Sequence, residues 1–290
     1  MSAPPFVHVI GASGRSGIAL AHALGARLIP VVRDHSKWTR LGFSAQARVA
    51  ELTDGESLAA ALRDATHVVS CVHARHAPQI VAAAPPAARL IFLGSTRKFT
   101  RWPDDHGNGV LAGEAAFLAS GRDGVMLHPT MIYGADGEDN VRRLAALTRR
   151  LPVLPLPGGG QARVQPIYQG DVTRAILAAL DRAWGGPRAL TIAGPSPMAY
   201  ADFLRAVAMA AGSGRPRIFS VPAAPLMALA VLVRLIPGLP KVGPAEIRRL
   251  LEDKAFDIAP MRALLGFDPI ALEAGLALTF RCAHYTFDLR

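Results

Sequence analysis

A chain of 290 residues that is 51% hydrophobic and only 19% charged can bury a sizeable core, which excludes an intrinsically disordered protein. Its net charge of +10 comes from 32 basic residues, all but four of them arginine, against 22 acidic ones; no dense basic run is interleaved with aromatics, so nucleic-acid binding is not expected. The two cysteines, Cys71 and Cys282, fit neither a metal spacing nor a disulfide framework, so no metal site is expected and a reducing cytoplasm is the simpler reading.

The N-terminal MSAPPFVHVIG lacks a basic region followed by a long apolar run and reads as carrying no secretory leader. FVHVI is a short, β-branched, apolar run of the kind that forms a buried parallel strand. GASGRSG follows, then IALAHALGA, an amphipathic helix ending near Gly25. LIPVVRD is a second strand, ARVAEL a third, and DGESLAAALRDA a helix that Asp54 can cap. THVVSCV is a fourth strand ending at HARHAP, and APQIVAAA is a helix stopped by Pro85 and Pro86. ARLIFLGS is a fifth strand, GVLAGEAAFLASG a helix closed by Gly121, and GVMLHPTMIYG a sixth strand. This rhythm predicts an α/β fold, a doubly wound parallel sheet (Rossmann) with right-handed crossovers.

Beyond residue 140 the pattern loosens. NVRRLAALTRRL is a helix with a basic face, LPVLPLPGGG a proline- and glycine-rich connection, and VQPIYQGDVTRAILAALDRA enters a helix in which Asp171 suits capping better than substrate binding. RALTIAG is a further strand, and the chain from Ser196 onward is mostly helical. The expected division is a nucleotide-binding domain over 1–165, to which a strand near 187–193 returns, and a smaller substrate lobe over 166–290. The most apolar stretch, 220–240, has an uninterrupted core from Leu226 to Val233, far short of the ~20 residues of a membrane span. It reads as a buried or lid helix, or as an interfacial helix making weak membrane contact.

The three glycines of GASGRSG stand between a strand and a helix, the context in which such a turn binds a dinucleotide. Gly11 takes the turn's backbone angles, Gly14 admits a pyrophosphate, and Gly17 lets the helix approach the strand. Gly11, Ser13, Gly14, Arg15, Ser16 and Gly17 therefore form the expected phosphate contact, with Cys71 and Val72 beside the cofactor at the end of the fourth strand. Arg33 ends the second strand where a carboxylate usually holds a ribose diol, and Lys37 follows. Together with Arg15 they favour NADP(H) over NAD(H), although Asp34, one position later, leaves the choice open.

GASGRSG, RLIFLGST, LHPTMIYG and QPIYQGDV, with the tail FDIAPMRALLGFDP, resemble an extended or atypical short-chain dehydrogenase/reductase, a group that includes NAD(P)-dependent epimerases and dehydratases and NmrA-like redox sensors. The resemblance implies a catalytic Tyr-x-x-x-Lys pair and a Ser or Thr. Ser95 and Thr96 stand at the hydroxyl position, but the stretch HGNGVLAGEAAFLASG puts His106 in the tyrosine's place and Val110 in the lysine's. Lys98 lies in the loop after the fifth strand. His106 can serve as acid or base, or be an exposed loop histidine. Tyr133 can offer a phenol at the mouth of the site, as can Tyr168, or shape the pocket. His128, where the resemblance implies an arginine, reads as structural.

Two functions follow. One is an NADP(H)-dependent oxidoreductase or epimerase-like enzyme acting on a small, apolar molecule, with Ser95, Thr96, His106 and Tyr133 as its polar groups. The other is a non-catalytic NADPH-binding sensor or scaffold. The chain is expected to be a monomer or homodimer, the resemblance placing dimer helices around 78–84 and 110–120.

Overall fold

In the computed structural model, residues 5–135, 140–151, 153–233 and 243–281 are described. The strands are β1 (Val7–Ile10), β2 (Leu28–Val32), β3 (Arg48–Val49), β4 (His67–Ser70), β5 (Arg89–Leu93), β6 (Gly124–Pro129), β7 (Ile132–Tyr133), β8 (Val153–Pro157), β9 (Arg163–Val164), β10 (Ile167–Tyr168), β11 (Pro187–Ile192), β12 (Met198–Ala199) and β13 (Arg217–Val221). The helices are α1 (Arg15–Leu24), α2 (His35–Arg40), α3 (Gly55–Leu62), α4 (Ala77–Ala83), α5 (Asp105–Ala119), α6 (Asn140–Arg150), α7 (Gln169–Leu180), α8 (Tyr200–Ala210), α9 (Ala223–Val233), α10 (Pro244–Arg249), α11 (Ala259–Leu265) and α12 (Leu272–Arg281).

Seven strands form one parallel sheet in the order β11-β6-β5-β4-β1-β2-β3. β1 and β4 are neighbours, Val9 opposite Val69, so the winding reverses between them. In an open parallel sheet that reversal opens a crevice at the carboxyl ends of the strands. Both faces of the sheet are covered, which is why its strands read as unbroken apolar runs. On one face Leu20 of α1 and Val172 and Ile176 of α7 bury against Val7, Val9 and Val69. On the other, Leu58 of α3, Ile80 of α4 and Val110 and Phe117 of α5 bury against Ile10, Leu90 and Phe92. A third cluster, around Tyr133, Phe203, Val207 and Leu276, forms the core of the smaller, mostly helical lobe. Helix α7 thus follows residue 165 in sequence while packing on the sheet, and β11 pairs with β6 at the sheet's edge.

Three expectations change. LPVLPLPGGG is not simply a connection: Val153–Pro157 is a strand paired in parallel with β13. Pro155 and Pro157 are two apart, so the N–H groups they lack fall on one edge of the strand and leave the other edge to pair. The stretch GVMLHPTMIYG breaks into β6 and the separate two-residue β7, which pairs with β10 instead of the main sheet. Helix α5 begins before GVLAGEAAFLASG, because the Asp104 side chain accepts the Gly107 N–H at 2.8 Å and caps it. Gly107, Gly109 and Gly113 weaken helix propensity there. Their cost is offset by packing: a Cβ on Gly113 would lie 1.9 Å from the Ala74 carbonyl oxygen.

Candidate functional site

The turn between β1 and α1 is built from main-chain atoms. Gly11 adopts φ 77°, which disfavours any residue with a Cβ, and that Cβ would also strike Val72 Cγ1 at 2.7 Å. On Gly17 a Cβ would stand 2.2 Å from the Gly11 carbonyl oxygen and 2.8 Å from Ala12 Cα, so only glycine lets α1 seat against the turn. Gly14 is the N-cap of α1, with no side chain capping the helix and no acidic residue in its first turn. The first turn of α1 therefore carries the positive end of the helix dipole, with its amides directed out of the helix start. This is the donor set a pyrophosphate requires, and the turn fits one. Ser16 Oγ donates to Gln169 Oε1 at 3.2 Å, tying α1 to α7. Ser13 is half-buried and Arg15 exposed.

At the end of β2 the side chains of Arg33 and Lys37 are exposed. Asp34, the competing residue, is committed elsewhere. Its carboxylate accepts the Lys37 N–H at 3.0 Å and caps α2, and that bond holds its pKa below the usual carboxylate range. The residue left at the strand end is cationic. Across the crevice, Cys71 N–H donates to the Ile10 carbonyl at 2.9 Å, placing Cys71 and Val72 beside the turn. Burial pushes the Cys71 thiol up to about 12, so it is a packing residue with no thiolate character.

Beyond β5 the strand edge opens into a cleft of about 460 Å³. Ser95, Thr96 and His106 wall it from the sheet side, and Arg249, Glu252 and Lys254 from the C-terminal segment. Ser95 Oγ accepts the Arg97 N–H at 3.2 Å, which leaves its own proton for another acceptor. Thr96 Oγ1 donates to the Pro129 carbonyl at 3.2 Å, so its proton is committed and only its lone pairs face a ligand. His106 is a half-buried residue in the first turn of α5 instead of an exposed loop histidine. Its ring meets that of His73 edge-on, centroids 4.4 Å apart and planes at 83°. Burial, and then the charge of His106, lowers the His73 pKa to about 4, which keeps His73 neutral at pH 7.

Tyr133 lies away from this cleft. Its side chain is 1% exposed, its hydroxyl faces the Leu272 carbonyl at 3.5 Å, and burial with the nearby Asp171 pushes its pKa up. A phenol so enclosed neither ionises readily nor reaches a ligand in the cleft. Tyr168 packs on it, ring centroids 5.8 Å apart. Asp171 is buried and accepts the Ile270 N–H at 2.9 Å, so it anchors the tail segment to α7.

Sequence reading missed the charged group behind the cleft. Glu114, on α5, pairs with both Lys98 and His128, the His128 Nε2 to Glu114 Oε2 distance being 2.5 Å. His128 Nδ1 accepts the Ser95 N–H at 3.2 Å, so its proton sits on Nε2 and points at Glu114. The side chains of Lys98, Glu114 and His128 are only 9%, 15% and 1% exposed. The His128 bond, ahead of the Lys98 bond, lowers the Glu114 pKa to about 2. Lys98 is therefore not a loop lysine open to a ligand; it is half of a buried ion pair beneath the turn that carries Ser95. Also unforeseen was Glu252, whose carboxylate accepts from the Thr100 hydroxyl at 2.8 Å and the Arg101 N–H at 2.5 Å, closing the C-terminal segment over the cleft. None of these pairings has a local signature, because each joins residues that meet only after the sheet forms.

No protein-family profile matches the chain, and no curated protein matches it. Solved structures do. A nucleoside-diphosphate-sugar epimerase from Pseudomonas aeruginosa is 22% identical, with a TM-score of 0.73 over 98% of this chain and 99% of that one. An NADPH-dependent quinone oxidoreductase from Escherichia coli, complexed with NADPH, is 16% identical, with a TM-score of 0.72 over 94% and 99%. MoeE5, in complex with UDP-glucose and NAD, is 18% identical, with a TM-score of 0.72 over 98% and 100%. The chain thus shares the fold of these proteins over nearly its whole length.

Proposed function

We propose that the chain binds NADP(H) and is an oxidoreductase or epimerase-like enzyme acting on a small molecule held in the cleft. One observation carries this reading: the first turn of α1, at the reversal of the sheet, and the cleft with its hydroxyl and imidazole, beyond the ends of β5 and β6, lie at the same carboxyl edge of the sheet. Neighbours with this fold are described as complexed with NADPH or NAD, which supports a nicotinamide coenzyme. Arg33 and Lys37, with Asp34 withdrawn as a helix cap, favour the 2′-phosphorylated form.

When bound, the coenzyme supplies or accepts hydride at its nicotinamide ring. The chain does the rest. The α1 amides hold the pyrophosphate, and Arg33 and Lys37 hold the 2′-phosphate. The Ser95 O–H, unspent locally, polarises a substrate oxygen, and Thr96 orients the turn through Pro129. His106 exchanges a proton with that oxygen, and His73 beside it stays neutral and does not compete. On the wall opposite the sheet Arg249 and Lys254 are matched by Glu252 and Asp253, so the cleft is polar and suits a substrate with hydrogen-bonding groups, a departure from the apolar substrate read in the sequence.

A second reading, a sensor or scaffold that holds NADPH without turnover, has one specific observation in its favour. None of the four tyrosines is followed four residues on by lysine, and Val110, at the lysine's place, is core, 1% exposed. Calorimetry with NADPH and NADH tests the shared premise: no heat with either at millimolar levels refutes both readings. Consumption of NADPH with a panel of quinones, aldehydes and ketones, lost on Ser95→Ala, then separates enzyme from sensor.

A further inference from the structure

The smaller lobe carries a basic and apolar surface that the cleft does not use. Residues 140–170 and 203–245 each hold five basic residues and no Asp or Glu. The fold brings the described parts of these two stretches together. β8 and β13 pair in parallel, α6 packs on α8, and the Arg149 guanidinium donates to the Ala211 carbonyl at 3.2 Å, tying the two helix ends. Register then sorts the side chains. Leu154 and Leu156 are buried, whereas Val153, opposite Arg217, and Phe219, opposite Pro155, face out on the other side. Phe219 is 47% exposed, Val153 45% and Leu151 44%. Arg150, Arg215 and Arg217, all exposed, surround them.

Helix α9 leaves this sheet after a single residue, Pro222. Its sequence, AAPLMALAVLV, has no polar side chain on any face, yet Ala224, Pro225 and Ala228 are exposed. A helix apolar all round is ordinarily covered. No helix among the described residues is long and apolar enough to cross a membrane. Exposed aliphatic and aromatic groups next to exposed arginines in chain and register, in two stretches whose sequence holds no carboxylate, match the two layers of an anionic bilayer surface: acyl chains for the apolar groups, phosphates for the guanidinium groups. Residues 234–240 of the apolar run read in the sequence lie outside the described residues.

We propose that this face, formed by the ends of α6 and α8, the outer side of β8 and β13, and α9, docks the protein on an anionic lipid surface. The test is flotation of the full chain with vesicles of phosphatidylcholine alone or with about one third phosphatidylglycerol. Binding is expected to the anionic vesicles only, weakening at least about 10-fold in ~0.5 M salt, where screening shortens the reach of the charges. Arg150→Glu/Arg217→Glu should bind about 10-fold more weakly or worse, and Phe219→Ser several-fold more weakly, with NADPH binding unchanged in both as proof of folding. Arg63→Glu/Arg188→Glu, with the same change in net charge on other surfaces, should bind vesicles as the parent does. Absence of vesicle binding overturns the proposal, as does equal loss in the control pair, or retention on nucleic acid but not on vesicles.

Discussion

The turn between β1 and α1 and the cleft beside β5 share one strand edge but are made of different material. The first is seven consecutive residues, and its working atoms are amides; the second is side chains running from Ser95 to Lys254. Main-chain geometry set by glycines tolerates almost nothing at Gly11, where φ is 77° and a Cβ strikes Val72, or at Gly17, where a Cβ meets backbone. The cleft depends on buried ion pairs and a capped helix to hold its side chains, so it can be weakened in steps. Binding and chemistry should therefore fail separately.

The largest effect expected is at Gly17. Gly17→Val places side-chain atoms inside the Gly11 and Ala12 backbone, and NADPH affinity measured by calorimetry should fall by at least about 100-fold, with a lowered melting temperature. A variant that binds as the parent does would break the contrast drawn above. On the other side of it, His106→Ala should lower kcat of any NADPH-dependent activity by about 10²–10⁴ while leaving NADPH affinity within a factor of about two. Undiminished turnover retires His106 as the proton donor.

Glu114→Gln probes the support of the cleft instead of its surface. It leaves Lys98 without its partner, and denaturant unfolding at pH 7 should show a loss of about 2–3 kcal/mol. The pH dependence has a definite sign. The Glu114 pKa is near 2 folded against an ordinary 4.5, so its stabilisation is complete above about pH 4.5 and disappears as pH falls toward 2. The Gln variant should show a flatter stability profile across that window; an unchanged slope means the pair contributes nothing. The smallest change sharpens the nucleotide half. Arg33→Asp should cut the preference for NADPH over NADH by about 10-fold, or reverse it, because one charge-assisted contact is worth roughly 1.5–3 kcal/mol. If the ratio of the two affinities does not move, Arg33 is not the 2′-phosphate ligand.

Legibility divides along the same line. FVHVI, GASGRSG and the helix after it could be read as strand, turn and helix because all the interactions involved are local, and the structure places them so. Glycine at a position where any Cβ meets backbone leaves a mark in the sequence itself. His106 was read as an acid or base or else as an exposed loop histidine, and the structure puts it half-buried in a helix that Gly107 and Gly109 argue against but that Asp104 caps. Tyr133 looked like a phenol at the mouth of a site because it follows the sixth strand closely. Only the docking of α12 shows that it is covered.

The sequence by itself determined the doubly wound sheet, its glycine turn and the cationic end of β2, because hydrophobic period, glycine spacing and strand-end charge act over a few residues. Tertiary structure alone decided that Lys98, Glu114 and His128 form one group and that two arginine-rich stretches meet through β8, β13, α6 and α8. Those outcomes depend on which distant segments the sheet and the smaller lobe bring within a few ångströms, where removal from water makes a charge either paired or prohibitive.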